Sequence, residues 1–348
     1  MQNNYDIIYL TNTPSFYKVN LCNEVGKHCK FLLVLYGYGK EAVNKFMQEE
    51  EKLSFDYIFL SEGDAARRNK VKTFFKLLLL LSRVKYKRLL FAGWFIPEYN
   101  IVSFLTSKRK NVVLSESSIR DVSFAGIKGV IKKLVISRMS VAMPSGSLHI
   151  EVFEKIGFRG RIIKTGGVGI FNKPKRPLSE VKHNVPFRYL YVGRLVPVKN
   201  LEFLVRCFNE LGKPLTIVGS GELDNRLKQM AADNIIFKGF VPNENLPQIY
   251  STHDIFILPS VYEPWGLVVD EAIYWGLPVI VSDVVGCSVD MVVNPGTGVV
   301  FKSNDTASFV AAVNEIEDNY NKYKQAVDAF DFDKRDELQV AAYLKLLE

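Results

Sequence analysis

Cysteine, histidine and tryptophan are scarce in this 348-residue chain, at four, four and three residues. Cys22, Cys29, Cys207 and Cys287 show no CxxC spacing and no cluster of histidines beside them, which argues against a disulfide framework and against a zinc site. Reduced thiols and no bound metal are therefore expected. Long apolar runs are missing as well. Stretches such as Leu77 to Leu81 fall far short of the roughly 18 residues of a membrane span, and Met1 to Asn20 lacks the basic-then-apolar pattern of a signal peptide. A cytoplasmic location follows as an expectation. After the first apolar run the chain reads TNTPSFYKVN and not GxGxxG, which tells against a dinucleotide oxidoreductase.

What is present suffices for two globular domains. With 48% hydrophobic and 24% charged residues, each half can bury its own core, and disorder is excluded as the class. Both halves alternate short apolar runs with helical patterns. Strands are expected at 6–11, 31–36, 57–61, 88–92, 112–116, 140–144 and 161–164, then at 189–193, 215–219, 235–238, 254–258, 278–282 and 298–301. Strands spaced by helices imply parallel sheets covered on both faces. The expected fold class is α/β, with two doubly wound Rossmann-like domains facing across a cleft. Residues 1–168 would form the first and 169–327 the second, joined through the glycine- and proline-rich stretch Gly166 to Pro177. A last helix, about 328–348, would return to the first domain. Asp331 and Asp333 spell DxD there, but they follow all the strands, so Asp333 is read as a helix N-cap and not as a metal ligand.

Charge divides unevenly. Residues 1–168 carry 27 Lys or Arg against 14 Asp or Glu, leaving 18 against 23 for the rest. Between Ala65 and Leu90 nine basic residues, Arg67, Arg68, Lys70, Lys72, Lys76, Arg83, Lys85, Lys87 and Arg88, meet no acid and interleave with Phe74, Phe75 and Leu77 to Leu81. This resembles a basic amphipathic surface suited to an anionic membrane. A core helix with a solvated basic face fits the same residues. Nucleic acid is not expected as a partner, since no recognised binding motif accompanies the charge.

Four segments of the second half carry chemistry. GRLVPVKN, from Gly193, follows a strand, and its Arg194 and Lys199 suit a diphosphate, Arg as a planar fork and Lys as a mobile point charge. A solvated loop with incidental charges is the plain alternative. VGSGEL places Gly219, Ser220, Gly221 and Glu222 in a tight turn that would let a ligand approach the backbone, although many α/β turns carry such glycines for packing. FKGFV brings Lys238, Phe240 and Val241 to the end of a third strand, where Phe240 could stack on a planar base or simply pack in the core. In VYEPWGLVVDEA, Glu263 falls in a loop and Glu271 about two turns into a helix begun at Pro264. The backbone amides of Trp265, Gly266 and Leu267 between them form an anion site at the helix start.

Taken together and in this order, these segments resemble the retaining nucleotide-sugar glycosyltransferases of family four, the group 1 glycosyl transferases of GT-B fold. The resemblance is strong from about Phe187 to Phe301 and holds only in outline before that. It implies that Arg194 and Lys199 bind the donor diphosphate and stabilise the leaving group, and that Glu263 contacts the donor sugar at the reaction centre. The 265–267 amides would hold the distal phosphate and Glu271 the ribose hydroxyls. Residues 219–222 and 238–241 would frame base and ribose. The family needs no metal.

The expectation is thus an enzyme that moves a sugar from a nucleoside diphosphate sugar to a hydroxyl, with a lipid-linked or cell-surface polysaccharide intermediate as acceptor, working peripherally on the inner face of the cytoplasmic membrane. Many relatives have paired glycines after the first strand and a histidine at the end of a later one. Here TNTPSFY and LSESSIR stand instead, so Asn12, Ser15, Glu116, Ser117 and Arg120 become the acceptor-side candidates, with structural capping the other reading of Glu116 and Ser117. The rival readings are a sugar-nucleotide epimerase or hydrolase of the same fold and a nucleotide-sugar-binding protein without turnover.

Overall fold

The computed structural model describes residues 4–13, 15–37, 53–120, 122–171, 174, 176 and 186–348. Of the joint expected at Gly166 to Pro177, residues 172, 173, 175 and 177 lie outside the described residues. The chain divides into two compact units, 1–172 with 333–348, and 173–332.

The N-terminal unit runs β1 (Asn4–Thr11), α1 (Phe16–Gly26), β2 (Phe31–Leu35), β3 (Asp56–Phe59), α2 (Lys70–Arg83), β4 (Lys85–Ala92), α3 (Pro97–Leu105), β5 (Asn111–Ser115), α4 (Gly126–Ser137), β6 (Val141–Pro144), α5 (Ser147–Lys155) and β7 (Arg161–Ile162). Its sheet is parallel, in the order β3-β2-β1-β4-β5-β6-β7. β2 (FLLVL) is buried at every position because helices cover both faces, and apolar residues therefore do not alternate along it. On one face, Leu10, Val34 and Leu89 pack with Leu77, Tyr99, Val102 and Val135 from α2, α3 and α4. On the other, Ile7 and Leu33 pack with Val25 of α1 and with the last helix of the chain.

The C-terminal unit runs β8 (Tyr189–Val192), α6 (Leu201–Leu211), β9 (Leu215–Val218), α7 (Asp224–Met230), β10 (Ile235–Gly239), α8 (Leu246–Ser251), β11 (Ile255–Leu258), α9 (Leu267–Tyr274), β12 (Val279–Ser282), a π-helical turn at Ser288–Val293, β13 (Gly298–Phe301), α10 (Thr306–Asp318) and α11 (Tyr320–Asp328). This sheet is also parallel, in the order β10-β9-β8-β11-β12-β13. The final helix, α12 (Phe332–Leu344), returns to the N-terminal unit, where Arg335 and Gln339 donate to the Gly166 carbonyl at 2.7 and 2.6 Å. Tyr343 and Leu346 enter that unit's core.

Three local expectations are corrected. Asp333 lies in the first turn of α12 instead of capping it. The helix after Glu263 begins at Leu267, because Gly266 adopts φ 99°, a left-handed conformation that breaks the helix behind it. Glu271 is thus its fifth residue, little more than one turn in. The basic run of residues 65–90 is not one amphipathic surface. It is divided between α2 and β4, and its Arg68 is withdrawn from solvent onto Glu98.

Candidate functional site

In a doubly wound sheet the loops leaving two adjacent strands part where the strand order reverses, and a ligand crevice opens there at the carboxyl ends. In the C-terminal unit that point lies between β8 and β11. The loop after β8 carries Arg194 and Lys199, and the loop after β11 carries Glu263.

Backbone hydrogen bonds tie five carboxyl-end loops together in sheet order. The Gly219 amide donates to the Gly239 carbonyl at 2.7 Å, joining the ends of β9 and β10. Leu195 donates to Ser220 at 2.9 Å, joining β8 to β9, and Val261 donates to Val198 at 2.9 Å, joining β11 to β8. Gly286 and Cys287, beyond β12, donate to the carbonyls of Glu263 and Trp265, each at 2.9 Å. Such close backbone contact explains the glycines of VGSGEL. A Cβ on Gly219, whose φ is 138°, would stand 1.8 Å from the Gly193 carbonyl oxygen, and one on Gly221 would stand 2.3 Å from that of Leu195. These glycines serve loop-to-loop packing. Ser220, Glu222 and Arg194 are left exposed on the outer side of the joined loops.

The bracket has one ionic contact at its centre. Lys199 Nζ meets Glu263 Oε2, and both side chains are only 13% exposed. Ser260 Oγ donates to the same carboxylate oxygen at 3.3 Å. Lys199 is delivered there by Asn200, which holds φ 58° and donates through Nδ2 to the Pro259 carbonyl at 3.2 Å and to Asn304 Oδ1 at 3.0 Å. Tyr191 hydroxyl donates to the Arg194 carbonyl at 3.0 Å. Burial, with the Glu263 carboxylate nearby, pushes that hydroxyl far above its ordinary range, so it stays a neutral donor.

Beside the pair stands the start of α9, whose first-turn amides face its N-terminal end and whose Val269 amide donates to the Gly266 carbonyl at 2.8 Å. Trp265 faces inward, its Nε1 donating to buried Asp270 at 2.8 Å, so its contribution to a ligand site is its backbone. Glu271 accepts from the Tyr250 hydroxyl of α8 at 3.4 Å. At the sheet edge, β10 carries Lys238, which is exposed, just before its last residue Gly239, and leads to Phe240, which is 73% exposed and so not a core residue; Val241 follows it half-buried. An electropositive loop, a helix start, two carboxylates and an exposed ring thus share one end of one sheet. Chemically they can hold a polyanion, hydroxyl groups and a planar ring. The residues that sequence reasoning missed here are Asn200, Asn304, Tyr250, Ser260 and Tyr191. Among them Asn200 and Asn304, asparagines tolerant of positive φ just before helical patterns, left a sequence signal.

The acceptor-side candidates lie in the N-terminal unit. Glu116, just beyond β5, pairs with Lys18 of α1 at 3.6 Å. Asn12 is exposed beyond β1 with its carbonyl accepting from the Tyr36 amide at 3.1 Å, and Ser15, also exposed, is the cap residue of α1. Ser117 is only 8% exposed, its amide donating to Ser115 Oγ, whereas Arg120 is exposed with its amide on Ser118 Oγ. A further polar cluster stands at the ends of β1 and β2 in this unit. Arg68 grips Glu98 with two hydrogen bonds of 2.9 and 3.0 Å and lies 4.5 Å over the Tyr36 ring, which stacks on Tyr99 at 4.7 Å.

Residues 174–329 match the family described as glycosyl transferases group 1. The C-terminal unit is a group 1 glycosyltransferase domain. That is the family its motifs resemble. A 106-residue segment is 37% identical to an uncharacterized glycosyltransferase of Methanocaldococcus jannaschii, covering 28% of this chain and 27% of that protein. A 200-residue segment is 28% identical to the UDP-Gal:alpha-D-GlcNAc-diphosphoundecaprenol alpha-1,3-galactosyltransferase of Escherichia coli, covering 54% of this chain and 48% of that one. The matches therefore span between about a quarter and a half of these relatives' own lengths. The crystal structure of HepE from Anabaena in complex with UDP superposes with a TM-score of 0.69, over 98% of this chain and 99% of that chain, at 15% identity. The likeness establishes the fold, GT-B, in which the group 1 domain is the C-terminal of two Rossmann-like units.

Proposed function

We propose that the protein is a retaining glycosyltransferase that moves a sugar from a nucleoside diphosphate sugar to the hydroxyl of a lipid-linked or cell-surface polysaccharide intermediate, at the inner face of the cytoplasmic membrane. The observation that carries this reading is the Lys199–Glu263 pair, held by the joined loops at the strand-order reversal beside the start of α9. A relative named for action on a diphosphoundecaprenol-linked sugar supports the acceptor class.

On this reading the donor diphosphate enters between Arg194, Lys199 and the α9 amides, and takes Lys199 away from Glu263. The freed carboxylate then accepts hydrogen bonds from the donor sugar. Glu271, steadied by Tyr250, holds the ribose, and Phe240 stacks on the base. The bond from the anomeric carbon to the diphosphate oxygen breaks while the acceptor oxygen bonds to that carbon on the same face. A departing phosphate oxygen takes the acceptor's proton. Negative charge grows on the leaving diphosphate, so Arg194 and Lys199 bind it more tightly in the transition state than in the ground state, which is the condition for catalysis. The cations and helix start supply this stabilisation without a metal.

The test begins with thermal shifts against UDP-, GDP-, ADP- and dTDP-sugars, because a ligand of the folded state raises the melting point by mass action. The stabilising donor is then incubated with lipid-linked saccharide acceptors and the product's anomeric configuration is read by NMR. Transfer with retention is the expected result. Inversion would refute the stereochemistry, free epimerised or hydrolysed sugar alone would make the protein an epimerase or hydrolase, and binding without turnover would make it a binding module.

A further inference from the structure

The N-terminal unit exposes an apolar surface. Helices α2, α3 and α4 lie side by side on one face of its sheet, α2 against α3 and α3 against α4. Their inner residues enter the core, yet each also turns large apolar side chains outward. Val71, Phe75 and Leu79 stand at i, i+4 and i+8 on α2, Phe104 on α3, and Ile127 and Ile131 on α4, each between 49% and 80% exposed. Scattered apolar residues on a surface are ordinary, but stripes on three neighbouring helices form a patch that water disfavours and that marks an interaction site.

The exposed charge carried by the three helices has one sign. α2 (KVKTFFKLLLLLSR) and α4 (GIKGVIKKLVIS) carry seven Lys or Arg and no acid. The one acid of α3, Glu98, is buried against Arg68. A second copy of the chain is a poor occupant, because an isologous pairing would press two such cationic faces together. A bilayer containing anionic lipid offers both an apolar interior and a negative surface.

We infer that the outer face of α2, α3 and α4 is a membrane-docking surface, with its apolar side chains in the acyl boundary and its lysines among the lipid phosphates. This deepens the reading of the protein as a membrane-surface enzyme and rests on it. It also moves the contact. Lys85, Lys87 and Arg88, which the basic run of the sequence brings forward, lie on β4, where Lys87 pairs with Asp6 at 2.8 Å and Arg88 donates to the Leu346 carbonyl. The apolar face continues toward the carboxyl end of the sheet through Phe95, 65% exposed in the loop from β4 to α3. That is the end at which Asn12, Ser15 and Glu116 stand, so a docked unit presents its acceptor candidates near the lipid surface.

Vesicle sedimentation of the full chain tests this, with phosphatidylglycerol–phosphatidylcholine vesicles against phosphatidylcholine alone. Wild type is expected on the anionic vesicles. Phe75→Ser/Ile127→Ser/Ile131→Ser should lower partitioning at least about tenfold, and Lys72→Gln/Lys128→Gln/Lys133→Gln should lose it as salt rises to physiological strength. The pair Lys85→Gln/Lys87→Gln should bind as wild type. In Phe75→Trp, vesicles should shift the indole emission to the blue, a direct report of insertion that does not depend on a destabilised variant. Absence of wild-type binding, unchanged binding of the apolar triple variant, no emission shift, or a dimer that the triple variant dissolves would each overturn the proposal. Transfer to a water-soluble acceptor analogue, assayed without vesicles, separates the two readings: its loss counts against the transferase, and vesicle results do not bear on it.

Discussion

Replacing Lys199 with alanine removes the cation at the centre of the loop bracket and leaves the rest standing. The loops are joined by backbone bonds, Leu195 to Ser220, Val261 to Val198 and Gly286 to Glu263, none of which uses the lysine side chain. What the folded state loses is a contact between two side chains each 13% exposed. Glu263 retains Ser260 and a path to water, so the cost in stability should be about 1–2 kcal/mol, below what would unfold a domain. The cost in catalysis should be larger. Lys199 would meet a diphosphate whose charge increases as it leaves, and removing one preorganised donor of this kind costs about 3–4 kcal/mol, or roughly a hundred- to a thousandfold in kcat. The ground state shares that contact only in part, and nucleoside diphosphate affinity should fall by about tenfold. Diphosphate release at saturating donor gives kcat, calorimetry with the free nucleoside diphosphate gives affinity, and circular dichroism confirms the fold. A folded variant with kcat within about threefold of wild type would refute the role given to Lys199 and with it the mechanism.

Asn200→Ala should lower kcat by about tenfold with the fold intact, because it frees the turn that carries Lys199 from the Pro259 carbonyl and Asn304; equal kcat would show that the loop holds its shape without the latch. Gly219→Ala should destabilise the chain by about 2–4 kcal/mol, since its Cβ would collide with the Gly193 carbonyl, and an unmoved urea midpoint would contradict the packing role of that glycine. Transfer should survive dialysis against EDTA; activity lost to the chelator and restored by magnesium would show that the cations of the site need a metal beside them.

The strands were legible because parallel strands buried on both faces are written as continuous apolar runs, as in Leu215–Val218 and Ile255–Leu258. The donor motifs were legible for a related reason: each follows such a strand directly, and the strand's end fixes where the loop goes. Their mutual contacts were not. Hydrogen bonds between distant loops use backbone atoms common to every residue type, and the only trace they leave is a glycine where two chains touch. For Gly219 and Gly221 the sequence admits both room for a ligand and packing, and the packing is evident in the structure, where their Cβ positions are filled by the loop after β8. The Tyr250–Glu271 contact joins two helices 21 residues apart with no shared pattern.

The exposed apolar face of α2, α3 and α4 shows a different limit. In α2 the run Leu77 to Leu81 supplies apolar residues at every angle around the helix, so within that run the sequence does not distinguish the buried side from the outer one. Folding decides the matter by placing Leu77 inward, which sends Val71, Phe75 and Leu79 outward. α4 has the same character, apolar on both sides with lysines between, and for that reason resembles an ordinary core helix in the sequence. A helix with large apolar side chains on both sides leaves one of those sides to be covered by protein or by something other than water. Here one side of each helix is enclosed by the core, and the proposed bilayer contact accounts for the composition of the other side.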